Sequence, residues 1–321
     1  MCTALRMSGG HHLFGRTLDL EKSYGEGVTI VPRNYKLSFQ HVERSESHLA
    51  IIGMACVYGG YPLYYDAMNE NGVAMAALNF PESAVYRSVC EGMTNLASYE
   101  LIPWVLSSAS SVRETVRLLE NVNVTDESVS NDLSATPLHW MISDKNGSIV
   151  VESVGLGLRV YENRFGVLTN EPPFPYHEAH LAEYMHLTSS YPTNVISPDI
   201  ELVPYSRGMG AIGLPGDYSS ASRFVRAFFA KSNVVIGGSE VEEISAFFHT
   251  IGTVSTPSGS VCSESGEAVR TIYTSCADTD SMTYYFKTYE NSRVRAVKMQ
   301  GEDGDSLRFF DIGGAEDILY I

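Results

Sequence analysis

The second residue of this chain is a cysteine, and trimming Met1 would place a thiol and a free α-amine on one residue. A free thiol titrates near ~8.5 and an α-amino group near ~7.7–8, so proton exchange between them is almost isoenergetic. A nucleophile needs a neighbouring base, and here both come from one residue. Position 2 alone is a weak signal; its surroundings strengthen it. Cys2-Thr3-Ala4-Leu5-Arg6-Met7 alternates as a strand does, Ser8-Gly9-Gly10-His11 is turn chemistry in which glycine is expected to supply positive φ, and Leu13–Asp19 reads as the returning strand. Folding about Gly9-Gly10 pairs positions whose numbers sum to about 19 or 20. Cys2 then lies opposite Thr17 or Leu18, flanked by Arg16 and Asp19. Arg16 would favour thiolate, and Asp19 would hold or polarise the thiol or the ammonium. The plainer alternative for Arg16 and Asp19 is an ion pair at a hairpin end.

Alternation dominates the elements that must carry these groups. Strands are expected at 50–57, 62–67, 73–78, 139–144, 148–153, 158–163 and 165–169, then at 268–276, 282–289 and 293–299. Helices are expected at 95–107, 111–121, 176–186, 221–231 and 240–250, with capping boxes at Ser111/Glu114 and Ser239/Glu242. Strand blocks separated by helix pairs imply stacked sheets covered by helices. Periodicity alone supports mixed α and β with mainly antiparallel sheet. The stretch 187–220 is too long for a passive connector.

Composition narrows the function. The 321 residues are 44% hydrophobic and 19% charged, ordinary for a globular chain, and the net charge of −16 argues against nucleic acid. No apolar run is long enough to span a membrane and no basic-then-apolar leader opens the chain, which leads to the expectation of a cytoplasmic protein. Five cysteines (2, 56, 90, 262, 276) include no Cys-x-x-Cys and are expected reduced, with Cys56 and Cys276 in the core. His177 and His180 share a helix face without a third ligand, so neither metal nor cofactor is expected.

Met1-Cys2-Thr3 followed by Phe14-Gly15-Arg16-Thr17-Leu18-Asp19 resembles the choloylglycine hydrolase family of N-terminal-nucleophile hydrolases, which contains bacterial bile salt hydrolases and penicillin V acylases. The similarity continues through Asn69-Glu70-Asn71-Gly72, Leu78-Asn79-Phe80-Pro81, Leu138-His139-Trp140, Leu168-Thr169-Asn170-Glu171-Pro172, Gly213-Leu214-Pro215-Gly216-Asp217 and Ser219–Arg226. Each motif is moderately specific; their order and spacing cover nearly the whole chain. The resemblance implies an α+β fold, a four-layer αββα sandwich with two antiparallel sheets between helix layers, formed by residues 1–321 as one domain with Met1 removed.

It also implies roles. Cys2 would be the nucleophile with its own amine as base, Arg16 and Asp19 would tune it, Asn79 and Asn170 would donate to the oxyanion, and Arg223 would support the charge network. Without the resemblance, Asn79 reads as a turn residue before Phe80-Pro81 and Asn170 as a strand end. Asn at position 79 leans toward conjugated bile salts, since penicillin V acylases tend to carry Tyr there. Glu82 and Pro173 depart from the family pattern, away from the proposed chemistry. Leu18 and Leu138 would line the sterol pocket by family position, although each reads equally well as core packing. Arg207, within Ser206-Arg207-Gly208, would pair with the conjugate's acid group and lean toward taurine. The expected activity is amide hydrolysis of glycine- or taurine-conjugated bile salts through a thioester, with acyl transfer to amines as a side activity, in a homotetramer. The alternatives are penicillin V acylase and, more distantly, a non-catalytic carrier of amphipaths.

Overall fold

The computed structural model describes residues 1–43, 47–131 and 133–321. The first hairpin forms as its alternation demands: β1 (Cys2–Ser8) runs antiparallel to β2 (His12–Leu20), with Cys2 facing Leu18, Ala4 facing Arg16 and Ser8 facing His12. Its turn departs from the expectation. Neither Gly9 nor Gly10 has positive φ. The Glu243 carboxylate instead accepts from the Gly10 and His11 N–H groups at 2.9 and 3.0 Å, and a Cβ on Gly10 would lie 2.7 Å from it. A side chain at Gly10 would thus have to displace the Glu243 carboxylate that holds the turn, whereas backbone handedness sets no demand there.

One sheet runs in the order β12 (Val167–Leu168), β1, β2, β14 (Ala268–Asp278), β15 (Thr283–Thr288), β16 (Arg295–Lys298), with β13 (Val261–Cys262) paired to β14. The other runs β11 (Gly157–Glu162), β10 (Gly147–Val154), β9 (Leu138–Asp144), β6 (Ala74–Asn79), β5 (Tyr61–Asn69), β4 (Ile51–Tyr58), β3 (Gly27–Val31), β17 (Arg308–Asp311). Both are antiparallel throughout; the parallel pair is β7 (Thr94–Ala97) with β8 (Val122–Thr125), off to one side.

Strand alternation divides the core. One apolar cluster, including Leu5, Phe14, Met54, Met141 and Phe247, joins the facing sheets to α4 (Ser220–Asn233) and α5 (Glu240–Gly252). A second, including Val73, Leu101, Leu106, Trp140 and Val151, seals α1 (Leu101–Ser108) and α2 (Val112–Leu119) against the far face of the larger sheet. Along β9, Met141 therefore points between the sheets while Trp140 and Ile142 point away. The layers are helix, sheet, sheet, helix. Within one sheet, Gly15 is required by the close approach of β2 to its neighbour β14: a Cβ there would lie 2.0 Å from the Ser275 carbonyl.

Several element boundaries differ from the sequence reading. The expected helix 95–107 begins as β7, because the Glu100 carboxylate takes the Ala97 N–H at 2.9 Å and starts the helical turn only there. At Ser111 the hydroxyl caps Glu114 N, but the Glu114 carboxylate bonds Ser110 N at 2.8 Å, so the reciprocal box does not form; the Ser239/Glu242 box is complete. The helix expected at 176–186 is α3 (Phe174–Leu181), which tightens to a 3-10 turn at Ala182–Tyr184. Only Val167–Leu168 of 165–169 is strand. Cys276 is buried, whereas Cys56 is half-buried where β4 runs out to exposed Val57 and Tyr58.

Candidate active site

Cys2 begins β1 and is 3% exposed with Met1 still attached. The Met1 amine donates to the Asp19 carbonyl at 2.8 Å, and Asp19 N–H returns a bond to the Met1 carbonyl at 3.0 Å. These bonds extend the hairpin ladder one residue beyond Cys2. Arg16, two residues before the Cys2 partner Leu18, is fully buried and sends Nη2 to the Cys2 sulfur at 2.5 Å. Its Nη1 reaches the carbonyls of Tyr65 (3.1 Å) and Ala77, so the guanidinium also bridges to β5 and β6 in the facing sheet.

The Cys2 nitrogen donates to Asn170 Oδ1 at 2.8 Å, and Arg223 Nη2 donates to the same oxygen at 2.7 Å. Asn170 Nδ2 donates to the Asn79 carbonyl at 2.7 Å. An amide NH2 carries two hydrogens, so the second is available to a substrate oxygen. Arg223, on the first turn of α4, also holds the Cys2 carbonyl and Thr3 Oγ1. That helix begins at Ser219, whose hydroxyl caps Ser222 N. Hydrogen bonds from Ser219 and Ser222 hold the nearby Asp217 carboxyl down to about 2.

The Asp19 carboxylate does not touch the Cys2 sulfur or nitrogen directly. It accepts from Thr271 Oγ1 at 2.5 Å and from Thr17 Oγ1 at 3.2 Å. Thr271 is brought there by a bulge, since the β14–β2 register shifts between Thr271 and Tyr273. Bulges recur where a side chain must be re-aimed beside a site.

Burial alone would lower the Arg16 pKa, but the neighbouring Cys2, Asp66 and Asp19 outweigh it and raise it. Arg223 goes the other way: burial lowers it, and Asp19 and Cys2 only partly compensate. Asp66 is buried with its carboxylate accepting from Tyr273, Ser275 and Tyr284 hydroxyls at 2.5, 2.8 and 2.6 Å. Burial raises its pKa against the pull of Arg16 and those donors. Sequence reasoning missed Asp66, Thr271 and Ser220; the one local signal was an acid set inside the alternating Tyr64-Tyr65-Asp66-Ala67 strand.

Thus Cys2, Arg16, Asn170, Arg223 and the Asn79 backbone converge, while the Asp19 carboxylate is held beside them by the Thr17 and Thr271 hydroxyls. The Asn79 side chain is exposed at the end of β6. Leu18 is buried in the inter-sheet cluster, and Leu138 is half-buried opposite Asn79, packed on the helix-side cluster. Arg207 is exposed in the 187–220 segment, and its side chain makes no hydrogen bond with the described residues. His177 turns inward to the Asn170 carbonyl while His180 stacks on Tyr176, so the two share no ligand position. His11, Asp278 and Asp280 lie close enough to share an ion, but the Asp278 carboxylate is occupied by His11, by the N–H groups of Asp280 and Ser281, and by the Ser281 hydroxyl.

Two antiparallel sheets between helix layers, with a cysteine leading a strand that is paired on both sides, define the architecture of the N-terminal-nucleophile hydrolases. Residues 2–309 match the profile of the linear amide C–N hydrolases, choloylglycine hydrolase family, and the chain belongs to that family. It is 45% identical over 306 residues to a bile salt hydrolase/transferase of Lactiplantibacillus plantarum, covering 95% of this chain and 94% of that protein. It superposes with a TM-score of 0.92 on the crystal structure of a mutant conjugated bile acid hydrolase from Clostridium perfringens, 35% identical and covering 100% of both chains. Penicillin V acylase from Agrobacterium tumefaciens shares the fold, with a TM-score of 0.77, 22% identity, and 98% and 92% coverage.

Proposed function

We propose that this chain, after loss of Met1, is a bile salt hydrolase that cleaves the amide bond of glycine- or taurine-conjugated bile salts. The observation that carries the reading is the Cys2 sulfur at 2.5 Å from the buried Arg16 guanidinium, with the Cys2 nitrogen on Asn170 Oδ1 at 2.8 Å. Removal of Met1 turns that nitrogen from an amide into an amine. The thiol then gives its proton to the amine, and Arg16 stabilises the thiolate. Sulfur attacks the amide carbon, forming a C–S bond as the carbonyl electrons move onto oxygen. The free hydrogen of Asn170 Nδ2 and the Asn79 side chain donate to that oxyanion. The intermediate collapses by breaking the C–N bond, and the α-ammonium proton goes to the departing amine. Water, deprotonated by the same α-amine, cleaves the thioester and restores the thiol. An amine in place of water gives transfer, in line with the hydrolase/transferase name of the L. plantarum relative.

With a net charge of −16, the chain cannot recruit an anionic substrate by long-range attraction. Exposed charges are screened within roughly 8–10 Å at physiological salt, and sterol burial at about 25 cal/mol per Å² supplies the binding energy. Leu18 and Leu138 are proposed for the pocket wall and Arg207 for the conjugate's acid group. The reading extends to a cytoplasmic homotetramer. In support, all five cysteines are free, and apolar side chains stand in the open along 187–220, with Val195, Ile196 and Tyr205 87%, 85% and 84% exposed.

The test is a panel of taurocholate, glycocholate and penicillin V, read by mass spectrometry of the released amine. Release from both bile salts, abolished by Cys2→Ala and nearly so by Cys2→Ser, is expected. Normal turnover by the Ala variant excludes the mechanism, and preference for penicillin V excludes the substrate. Light scattering reads the assembly state.

A further inference from the structure

His139, at the centre of the motif Leu138-His139-Trp140, has no part in the chemistry above, yet it reaches the segment that carries Asn170. β12 ends at Leu168, so the next two residues, Thr169 and Asn170, leave the sheet ladder. Their backbone groups still need partners, because buried peptide groups are almost always paired. His139 Nε2 lies 2.9 Å from the Thr169 carbonyl and His177 Nε2 lies 3.0 Å from the Asn170 carbonyl. A carbonyl only accepts, so both Nε2 atoms carry hydrogen. The N–H of Asn170 goes to Ser220 Oγ at 2.8 Å, and that hydroxyl donates on to Thr169 Oγ1. Side chains from three elements thus replace the missing strand.

Both imidazoles are fixed in turn. His139 is fully buried, stacks on Phe80 with ring centres 4.3 Å apart, and sets Nδ1 3.2 Å from Glu152, its cross-strand neighbour. The same Glu152 oxygen accepts from Phe174 N, the first residue of α3. One turn along that helix His177 projects inward and stacks on Phe224 at 5.0 Å. The network thereby ties the larger sheet, α3 and α4 to a single dipeptide.

We propose that His139 and His177 are positioning residues for acyl transfer at Cys2: paired buried imidazoles that clamp the Thr169 and Asn170 carbonyls and so aim the Asn170 amide at the Cys2 nitrogen and the oxyanion. This rests on the reading of Cys2 as nucleophile. Neither ring touches the reacting atoms. A displacement of about 1 Å in a positioned group costs up to ~10²-fold in rate, so loss of either clamp acts on turnover more than on binding.

The test compares His177→Phe, which keeps the stack on Phe224 but has no donor, with His177→Gln, whose amide places a donor near the Nε2 position. Turnover of taurocholate and glycocholate is measured beside the iodoacetamide alkylation rate of Cys2. For the Phe variant the expected kcat falls about 10- to 100-fold, with KM within about twofold and Cys2 alkylation unchanged, and Gln recovers most of the loss. His139→Phe and His139→Gln ask the same question at Thr169. Unchanged kcat in both Phe variants, or equal losses in Phe and Gln, overturns the proposal. So does failure of both Phe variants to fold, which assigns the imidazoles to the core alone. If the unmutated chain is not alkylated at Cys2 and releases no amine, the nucleophile reading itself has failed, separately from the clamp.

Discussion

The main chains of Met1 and Asp19 exchange two hydrogen bonds, at 2.8 and 3.0 Å, and so cover the first strand's leading cysteine. With Met1 gone, the Asp19 N–H and C=O lose these partners and open beside the Cys2 nitrogen. Active protein is therefore expected to start at Cys2. A chain with Ala inserted between Met1 and Cys2 keeps the ladder and the fold but leaves the Cys2 nitrogen an amide, which is no base. Intact-mass measurement beside turnover checks this: activity should fall by about 10²–10⁴-fold, the usual contribution of a positioned base, with the unfolding midpoint unchanged. Full activity in the extended chain would remove the α-amine from the mechanism.

Arg16 and Asp66 are both buried, the arginine holding four acceptors and the carboxylate held by three hydroxyls, and the charge of each shifts the pKa of the other. Arg16→Gln strands the Tyr65, Ala77 and Thr17 carbonyls and leaves Asp66 without its counter-charge. Removing one member of a buried ionic network costs about 3–5 kcal/mol. Urea unfolding should show a loss of that order, and Cys2 alkylation near neutral pH should slow because the thiolate loses its cation. Arg16→Lys keeps the charge with fewer donors and should fall between.

How far the site could be read from the sequence depended on how local each cause was. The Cys2–Leu18 facing followed from hairpin arithmetic, since alternation with period two leaves only one or two registers. Asn170 was legible only through resemblance, because its partners Cys2, Asn79 and Arg223 come from three distant segments. The Asp19 carboxylate was expected on Cys2 itself, but it is taken by the hydroxyl of Thr271 beside the bulge at Thr271–Tyr273, and a bulge in a distant strand leaves no mark near residue 19. The start of α1 was misread for a different reason. Apolar residues in 95–107 fit a helix, but the Glu100 carboxylate satisfies Ala97 N and lets Thr94–Ala97 pair with β8.

Acid should loosen the hairpin end that His12 staples. Its Nδ1 and Nε2 lie 2.8 Å from Thr279 and Ser143 hydroxyls, tying the two sheets together. Burial, then the Arg6 charge, lowers its pKa to about 4; burial does the same for His177, also to about 4. As pH falls through ~6.5 the unfolded chain takes these protons first, so stability present above that pH is lost progressively toward pH 4. A shift of this size corresponds to about 3 kcal/mol per histidine at the low end. Asp66, whose pKa is raised, slopes the other way. The check is therefore a difference: urea stability between pH 7 and 4.5 should fall less steeply in His12→Gln than in the unmutated protein. Equal slopes would mean that His12 is not buried neutral.

Asn79 and Asn170 can be separated because they meet through a backbone atom. Asn170 Nδ2 donates to the Asn79 carbonyl, so Asn79→Ala leaves that bond in place. Asn170→Ala removes the amide altogether and should lower kcat by about 10²–10³, the usual cost of one oxyanion donor. A comparable loss in Asn79→Ala assigns a donor to its side chain. Normal kcat there confines Asn79 to holding Asn170.

Arg207 tests whether the 187–220 segment takes part in selectivity. Its guanidinium is exposed and makes no hydrogen bond with the described residues, so Arg207→Ala should leave stability alone. A sulfonate offers three oxygens to a guanidinium and a carboxylate two, and an exposed pair is worth no more than about 1 kcal/mol. The taurine-to-glycine ratio of kcat/KM should therefore fall by up to about fivefold in the variant. Should the segment reach a neighbouring subunit's site, the unmutated protein would show the same change on dilution below its assembly concentration, and Arg207→Ala would abolish that dependence. A ratio unmoved by either treatment excludes Arg207 from recognition and leaves the apolar residues around it to assembly alone.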